Sequence, residues 1–247
     1  MAKRPRKKPA KKPRTRRIKS RRRSVRLLRT GLKVVGVLIL ISLVQVAALR
    51  FINPPFTVSV IWDATRHLIS RTPYQRPHMA WRSLDDISPH LQRAVLAAED
   101  QRFQHHNGFD LVEIQATLED MITDGRLRGA STISMQTART VFLPHARAIL
   151  RKALEAYYTV LVELLWDKRR ILEIYLNTVD WGDGIMGAEA AGRAYFDCSA
   201  QNLTARQAAL LAAILPSPHR FSPTRPTRYL RQRARRIAAD MPRMPLP

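Results

Sequence analysis

Three short blocks of this 247-residue chain hold the side chains best suited to chemistry. The first runs Ala97-Ala98-Glu99-Asp100-Gln101-Arg102-Phe103-Gln104-His105-His106-Asn107-Gly108-Phe109-Asp110. Adjacent carboxylates near a helix end cannot share one face, so Glu99 and Asp100 are candidates for different tasks, and the negative end of the helix dipole makes ionisation harder there. A carboxylate with a raised pKa can act as a general base. The second block, Arg128-Gly129-Ala130-Ser131-Thr132-Ile133-Ser134-Met135-Gln136-Thr137-Ala138-Arg139, is a small, hydroxyl-rich turn leading into a helix. Backbone N–H groups, hydroxyls and a cation in that arrangement suit a phosphate. The third, Arg151-Lys152-Ala153-Leu154-Glu155, sets Arg151 and Glu155 four residues apart on one helical face. Alone, each block has an ordinary explanation: a solvated acidic pair, a capped helix start, a surface ion pair.

The elements that must position these blocks read as helices. Ser88-Pro89 is an N-cap followed by proline at the first helical position, and Leu91, Ala94, Val95 and Ala98 then fall on one face, with Glu99 near the end. A second long helix is expected from His145 to Trp166, and another from Lys168 to Leu176. Thr204 and Gln207 have capping-box spacing ahead of an apolar run that Pro216 stops after Leu215. No alternating strand series follows residue 88. The stretch from Asn53 to Ser83 shows no strong period and reads as irregular. The domain is therefore expected to be mainly α.

Charge is concentrated at one end. The first 50 residues hold 18 of the 43 Lys and Arg and no acid, and the remainder carries only a +6 excess out of the formal +24. Residues 1–31 are a basic tail of low complexity, expected to be disordered. Residues 32–52 (LKVVGVLILISLVQVAALRFI) are apolar enough for one transmembrane helix, with Lys33 and Arg50 placed to snorkel. A cleaved signal peptide is the rival reading, but no clear small-x-small site precedes Asn53. Basic flanks stay in the cytoplasm, which puts everything after Ile52 outside. The tail is then topogenic or attracted to anionic lipid, and no nucleic-acid partner is expected. Residues 53–87 form a linker and membrane-proximal segment, and 88–240 the main helical domain. Cys198, the only cysteine, excludes an internal disulfide and reads as a small buried thiol.

Taken together, the spellings EDxxFxxHxGFD, RGxSTIxxQxxR and RKxxE, then KRRILEIYLN at residues 168–177 and the run from Gly187 to Phe196, closely resemble the peptidoglycan glycosyltransferase domain family. The likeness covers roughly Ile87 to Ser222 and is greatest to the monofunctional members, since no Ser-x-x-Lys motif of a transpeptidase occurs. It implies a lysozyme-like helical fold on a single-pass anchor in a bacterial inner membrane, with part of the domain's surface in the outer leaflet. It also implies polymerisation of lipid II into linear glycan strands, with inversion and release of undecaprenyl pyrophosphate. The resemblance assigns the base to Glu99. Glu155 would hold a divalent cation (Mg or Mn) or a basic side chain against the departing pyrophosphate. Ser131, Thr132, Gln136, Arg139 and Arg151 match positions binding donor phosphates and sugars. Asp100, Phe103 and His106 complete the first motif, Phe103 by packing. Tyr175 and Asn177 read as structural. Implied partners are lipid II, the lipid-linked strand and membrane lipid, with penicillin-binding transpeptidases and cell-division proteins as candidate protein partners.

Many relatives carry a second glycine at Ala130, glutamine at Met135, and Lys-Asn at Arg139-Thr140. The last two changes remove amides, which puts rate and donor affinity in question more than reaction class. A competing reading is a lysozyme-like hydrolase or lytic transglycosylase; the phosphate-binding block argues against it, because cleavage has no pyrophosphate leaving group.

Overall fold

The computed structural model describes residues 14–74, 76, 77, 79–125, 129, 131–144 and 149–247, with side chains from residue 27 onward except that of Asp124. The chain divides into two units, Met1–Gln45 and Val46–Pro247. Helix α1 (Arg14–Leu49) contains the apolar stretch Leu27–Leu49, 23 residues of mean hydropathy 2.4, long enough to cross a membrane. Its bounds correct two expectations. Residues 14–31, expected to be disordered, are helical: no proline follows Pro13 until Pro54, Arg and Lys are good helix formers, and the apolar turns spare the basic ones a nucleation cost. The helix also stops at Leu49 rather than Ile52. Arg50 and Phe51 turn back onto the carbonyls of Ala47 and Ala48, and Asn53, restrained by Pro54, does not continue the helix.

Within the second unit, the last turn of α1 is tied to the rest. Val46 is fully buried, the Trp166 indole donates to its carbonyl at 2.8 Å, and Arg170 donates to Leu49 O from Nε and a terminal nitrogen at 3.1 and 2.9 Å. Those are carbonyls that a helix end leaves without internal partners.

The stretch read as irregular contains helix α2 (Val58–Ser70), capped by Thr57 and closed by Arg71 in the left-handed region. Its pattern is amphipathic, and most of its apolar side faces away from the protein. Next come α3 (Pro89–Glu99), α4 (Leu111–Asp124), α5 (Ile133–Phe142), α6 (Ile149–Leu165) and α7 (Lys168–Thr178). A two-strand hairpin, β1 (Asp180–Gly182) and β2 (Ile185–Met186), is followed by α8 (Ala188–Phe196), α9 (Ala205–Ile214) and α10 (Arg228–Asp240). Of the helix expected from His145, residues 145–148 lie outside the described residues, as do Arg128 and Ala130.

Side-chain caps set most of these boundaries. Ser88 caps α3, Asp110 α4, Thr132 α5, Asp167 α7 and Thr227 α10, while Thr204 and Gln207 form the expected capping box on α9. Helix α3 lies against α9 and α10, and Leu91, Ala94 and Val95 share one core with Leu211, Ala212 and Leu230; α5 packs on α6 and α7. Gly187, with φ 84°, lets β2 pass Asn177, whose carbonyl oxygen would lie 2.6 Å from any added Cβ. The arrangement brings the end of α3 against the start of α5, which is where the two motif blocks meet.

Candidate active site

Glu99 is the last residue of α3, and its side chain is only 16 % exposed. One carboxylate oxygen accepts a hydrogen bond from Gln136 Nε2 at 2.9 Å; the other lies 3.7 Å from the Arg233 guanidinium of α10. Burial pushes its pKa above the ordinary glutamate value and Asp100 adds to that, while the Gln136 bond, Arg233 and Arg139 oppose. Behind Gln136, the Tyr175 hydroxyl donates to its Oε1 at 3.4 Å. Burial holds that phenol well above its usual pKa, so it stays protonated and fixes which end of the amide faces Glu99.

Asp100 turns away from Glu99, as adjacent residues at a helix end must. Its Oδ1 accepts from His106 Nε2 at 2.9 Å and its Oδ2 from the Ile133 backbone N–H at 2.9 Å. Because His106 Nδ1 accepts the Gly108 N–H, the ring proton sits on Nε2. Thr132 caps α5 through Met135 N and donates to Gly108 O at 2.6 Å. Gly108, with φ 90°, has no room for a Cβ, which would stand 2.7 Å from a Thr159 methyl. Lys168 closes the loop from below: it donates to His106 O and Glu163, and lies 4.5 Å over the ring of Phe103, itself buried in the core. Ser134 donates to Glu163 as well. The first block is thus laced to the start of α5, and Glu99 and Gln136 are held in register.

Asp100, His106 and Asp110 bring ligand atoms within 4.8 Å of one another, a spacing a metal could use. The atoms are already committed, however: both Asp100 oxygens and both His106 nitrogens as above, and Asp110 to the N–H groups of Val112 and Glu113 and to Arg102. The group fits a hydrogen-bonded latch. A divalent cation at Glu155 does not fit either. Glu155 is fully buried on α6, with one oxygen 2.8 Å from Arg151 and the other 2.6 Å from Lys152, so two cationic side chains already occupy both oxygens and repel a metal ion. The arrangement suits the alternative part of the expectation, a carboxylate that holds basic side chains.

Two cavities flank the Glu99–Gln136 pair. A cleft of about 610 Å³ is lined by Glu99, Ser131, Thr132, Tyr229, Arg233 and Arg236; another of about 510 Å³ is lined by Gln136, Arg139, Thr140, Tyr175, Asp180 and His219. The structure therefore brings Glu99, Ser131 and Thr132 to one side and Arg139 to the other, with Gln136 between. Among the described residues, Arg151 and Glu155 line neither. Asn177 is spent on backbone, bonding to Arg82 N, Arg82 O and Glu173 O. Sequence reading missed the contribution of α10. Its one available signal was that Tyr229, Gln232, Arg233 and Arg236 recur at helical spacing beside the buried line of Leu230, Ala234 and Ile237.

The family model described as Transglycosylase matches residues 65–242. The protein called biosynthetic peptidoglycan transglycosylase from Shewanella oneidensis is 46% identical over 209 residues, covering 85% of this chain and 88% of that protein. Its namesake from Ectopseudomonas mendocina is 46% identical over 215 residues, 87% and 88% of the two chains. The one from Rhodospirillum centenum is 54% identical over 161 residues, 65% and 70%. With a buried carboxylate of raised pKa between two clefts, and with a family match that runs from inside α2 to the residues just after α10, the chain belongs to the transglycosylase family.

Proposed function

We propose that this glycosyltransferase polymerises lipid II into linear glycan strands of peptidoglycan, with Glu99 as the general base. The observation that carries the reading is the state of Glu99. It is buried and hard to ionise, held through one oxygen by Gln136, and open to the larger cleft with Arg233 nearby. An acceptor 4-hydroxyl in that cleft gives its proton to the carboxylate. Its oxygen forms the new bond at the anomeric carbon as the bond to diphosphate breaks on the opposite face, with inversion. Undecaprenyl pyrophosphate leaves with the bonding pair. Arg139, beyond Gln136 in the second cavity, is placed to meet negative charge there, and Arg151, held by Glu155, is a second candidate cation.

The apolar span supports a single-pass anchor, and the basic N-terminal flank supports an inner-membrane protein with its N-terminus in the cytoplasm and its catalytic domain outside. Penicillin-binding transpeptidases and cell-division proteins remain partners by family likeness alone. The test is incubation of the full chain with labelled lipid II. Ladders of polymer are expected from the wild type and none from Glu99→Gln. Fragments released from preformed glycan, with no ladder, would instead make the chain a hydrolase or lytic transglycosylase.

A further inference from the structure

The larger cleft has a wall on α10 that proton transfer to Glu99 leaves unexplained. Tyr229, Arg233 and Arg236 all line it and fall within an arc of about 60° at 100° per residue. From Tyr229 to Arg236 the helix rises roughly 10 Å, about the length of a disaccharide. Arg233, between them, faces Glu99 at 3.7 Å and donates to Ala98 O at 3.5 Å. Its two neighbours on the wall have no such link to the active centre. Tyr229 is 57% exposed, the only exposed large apolar side chain among the described residues after Leu164, and the Phe221 ring backs it at 5.8 Å between centroids. Arg236 is exposed and makes no ion pair or hydrogen bond among the described residues. Arg102, across the cleft, is held by Asp110 at 3.2 Å, and Asp240, one turn beyond Arg236, leans to Arg243 at 3.6 Å. A braced aromatic face and an unengaged guanidinium suit a sugar that carries an anion, the ring taking the apolar face of the sugar and the planar fork taking a carboxylate.

The distribution of charge says where that anion is met. Residues 220–247 hold eight arginines and one acid, whereas 51–219 hold 17 basic residues and 18 acids, so the positive excess beyond the span lies wholly in this last stretch. The apolar side of α10, Leu230, Ala234 and Ile237, is buried, which leaves the helix no stripe to sink into a bilayer. Its arginines therefore face water. An acceptor disaccharide brings two kinds of anion: the diphosphate, which stays with its lipid, and the free carboxylates of the peptide on its second sugar, which extend into water. The second kind fits this wall.

We propose that Arg236 sets acceptor specificity by pairing with a free carboxylate of that peptide, while Tyr229 stacks on a ring of the same disaccharide. The assignment rests on the glycosyl transfer proposed above. Arg236 lies roughly 4.5 Å of helix beyond Arg233, so an arm on the second sugar comes within its reach while the 4-hydroxyl of the first is at Glu99.

The test uses the full chain in a neutral detergent. The donor is a labelled lipid-linked strand whose own 4-hydroxyl is blocked, and the acceptor is lipid II with its peptide carboxylates either free or amidated. Arg236→Gln is expected to raise KM for the free-carboxylate acceptor roughly five- to tenfold with kcat within about twofold, and Arg236→Lys to recover most of the loss. On the amidated acceptor the wild type should show the same raised KM, and Arg236→Gln should add less than about twofold to it. Tyr229→Ala should raise KM for both acceptors alike, because it meets sugar rather than charge. An equal loss on both acceptors in Arg236→Gln would overturn the proposal by moving Arg236 to the diphosphate or to the shape of the cleft. No loss on either would overturn it by leaving the guanidinium unused. Saturation-transfer NMR with the water-soluble disaccharide-peptide, which has neither lipid nor phosphate, supplies a readout apart from turnover. Binding that weakens in Arg236→Gln supports the subsite even if the chain forms no polymer, in which case the polymerase reading alone fails. Polymer formed by a chain whose binding ignores Arg236 would sink the subsite and leave that reading standing.

Discussion

At the scale of single residues, the state of Glu99 links catalysis to stability. Burial, the largest cause, raises its folded-state pKa above 4.5, so the folded chain binds this proton more tightly than the unfolded chain does. The stabilisation from that proton is complete below pH 4.5 and is lost as pH rises through the folded value. Glu99→Gln cannot ionise. It is expected to melt above the wild type at neutral pH and to lose the advantage below pH 4.5, while polymerisation is absent throughout. Melting curves across about pH 4 to 8 check this; coincident curves would mean that the carboxylate is solvated. The departures in the second motif separate in the same way. Met135 is buried in the core side of α5, whereas Thr140 lines the second cavity. Thr140→Asn should therefore lower KM for the lipid-linked donor by about one hydrogen bond, roughly 0.5–1.5 kcal/mol. Met135→Gln should leave kcat/KM alone and lower the melting temperature, by the roughly 1–3 kcal/mol of a buried amide that lacks partners. Donor kinetics beside thermal melts of both variants decide between this assignment and its reverse.

At the scale of elements, what sequence reading recovered depended on local chemistry. Ser88-Pro89 and the Thr204/Gln207 box announce α3 and α9 because a cap acts within one turn. Helix α2 escaped because Thr65 interrupts its apolar stripe and prolines flank it on both sides, and α10 because five arginines obscure the buried line of Leu230, Ala234 and Ile237. Arg233 was illegible for another reason: its approach to Glu99 spans 134 positions of sequence and exists only once α10 docks on α3. The end of α1 illustrates the same limit, since hydropathy does not distinguish a residue facing lipid from one facing protein, and Val46 faces protein. This yields a prediction about truncation. A chain starting at Val46 keeps the last helical turn, whereas one starting at Phe51 deletes Val46 from the core, strips Trp166 of its backbone acceptor and takes Leu49 O from Arg170, which keeps Ile52 O. Each lost buried partner costs about 1–3 kcal/mol. The shorter domain should melt roughly 4–10 °C lower. Equal melting temperatures of the two truncations would show that the turn adds nothing to the fold.

At the scale of the whole molecule, the proposed function requires the catalytic unit to lie outside the cytoplasm, and the asymmetry of charge is what can set that direction. Eighteen basic residues and no acid lie within the first 50, against an excess of only +6 over all that follows. A basic flank of that size resists translocation, so the apolar span should insert with its N-terminus in the cytoplasm and its C-terminal end outside. A reporter that is active only outside the cytoplasm should function when fused after Pro247 and fail when fused before Met1. Replacing the basic residues of positions 3–29 by glutamine should weaken that preference and give mixed orientation, because the span alone carries little directional information. If the fusions behave in the opposite way, the carboxylate of Glu99 faces the cytoplasm and the assignment of its substrate as the outward-displayed disaccharide fails with it. If orientation survives loss of the basic residues, direction is set by folding of the catalytic unit rather than by charge.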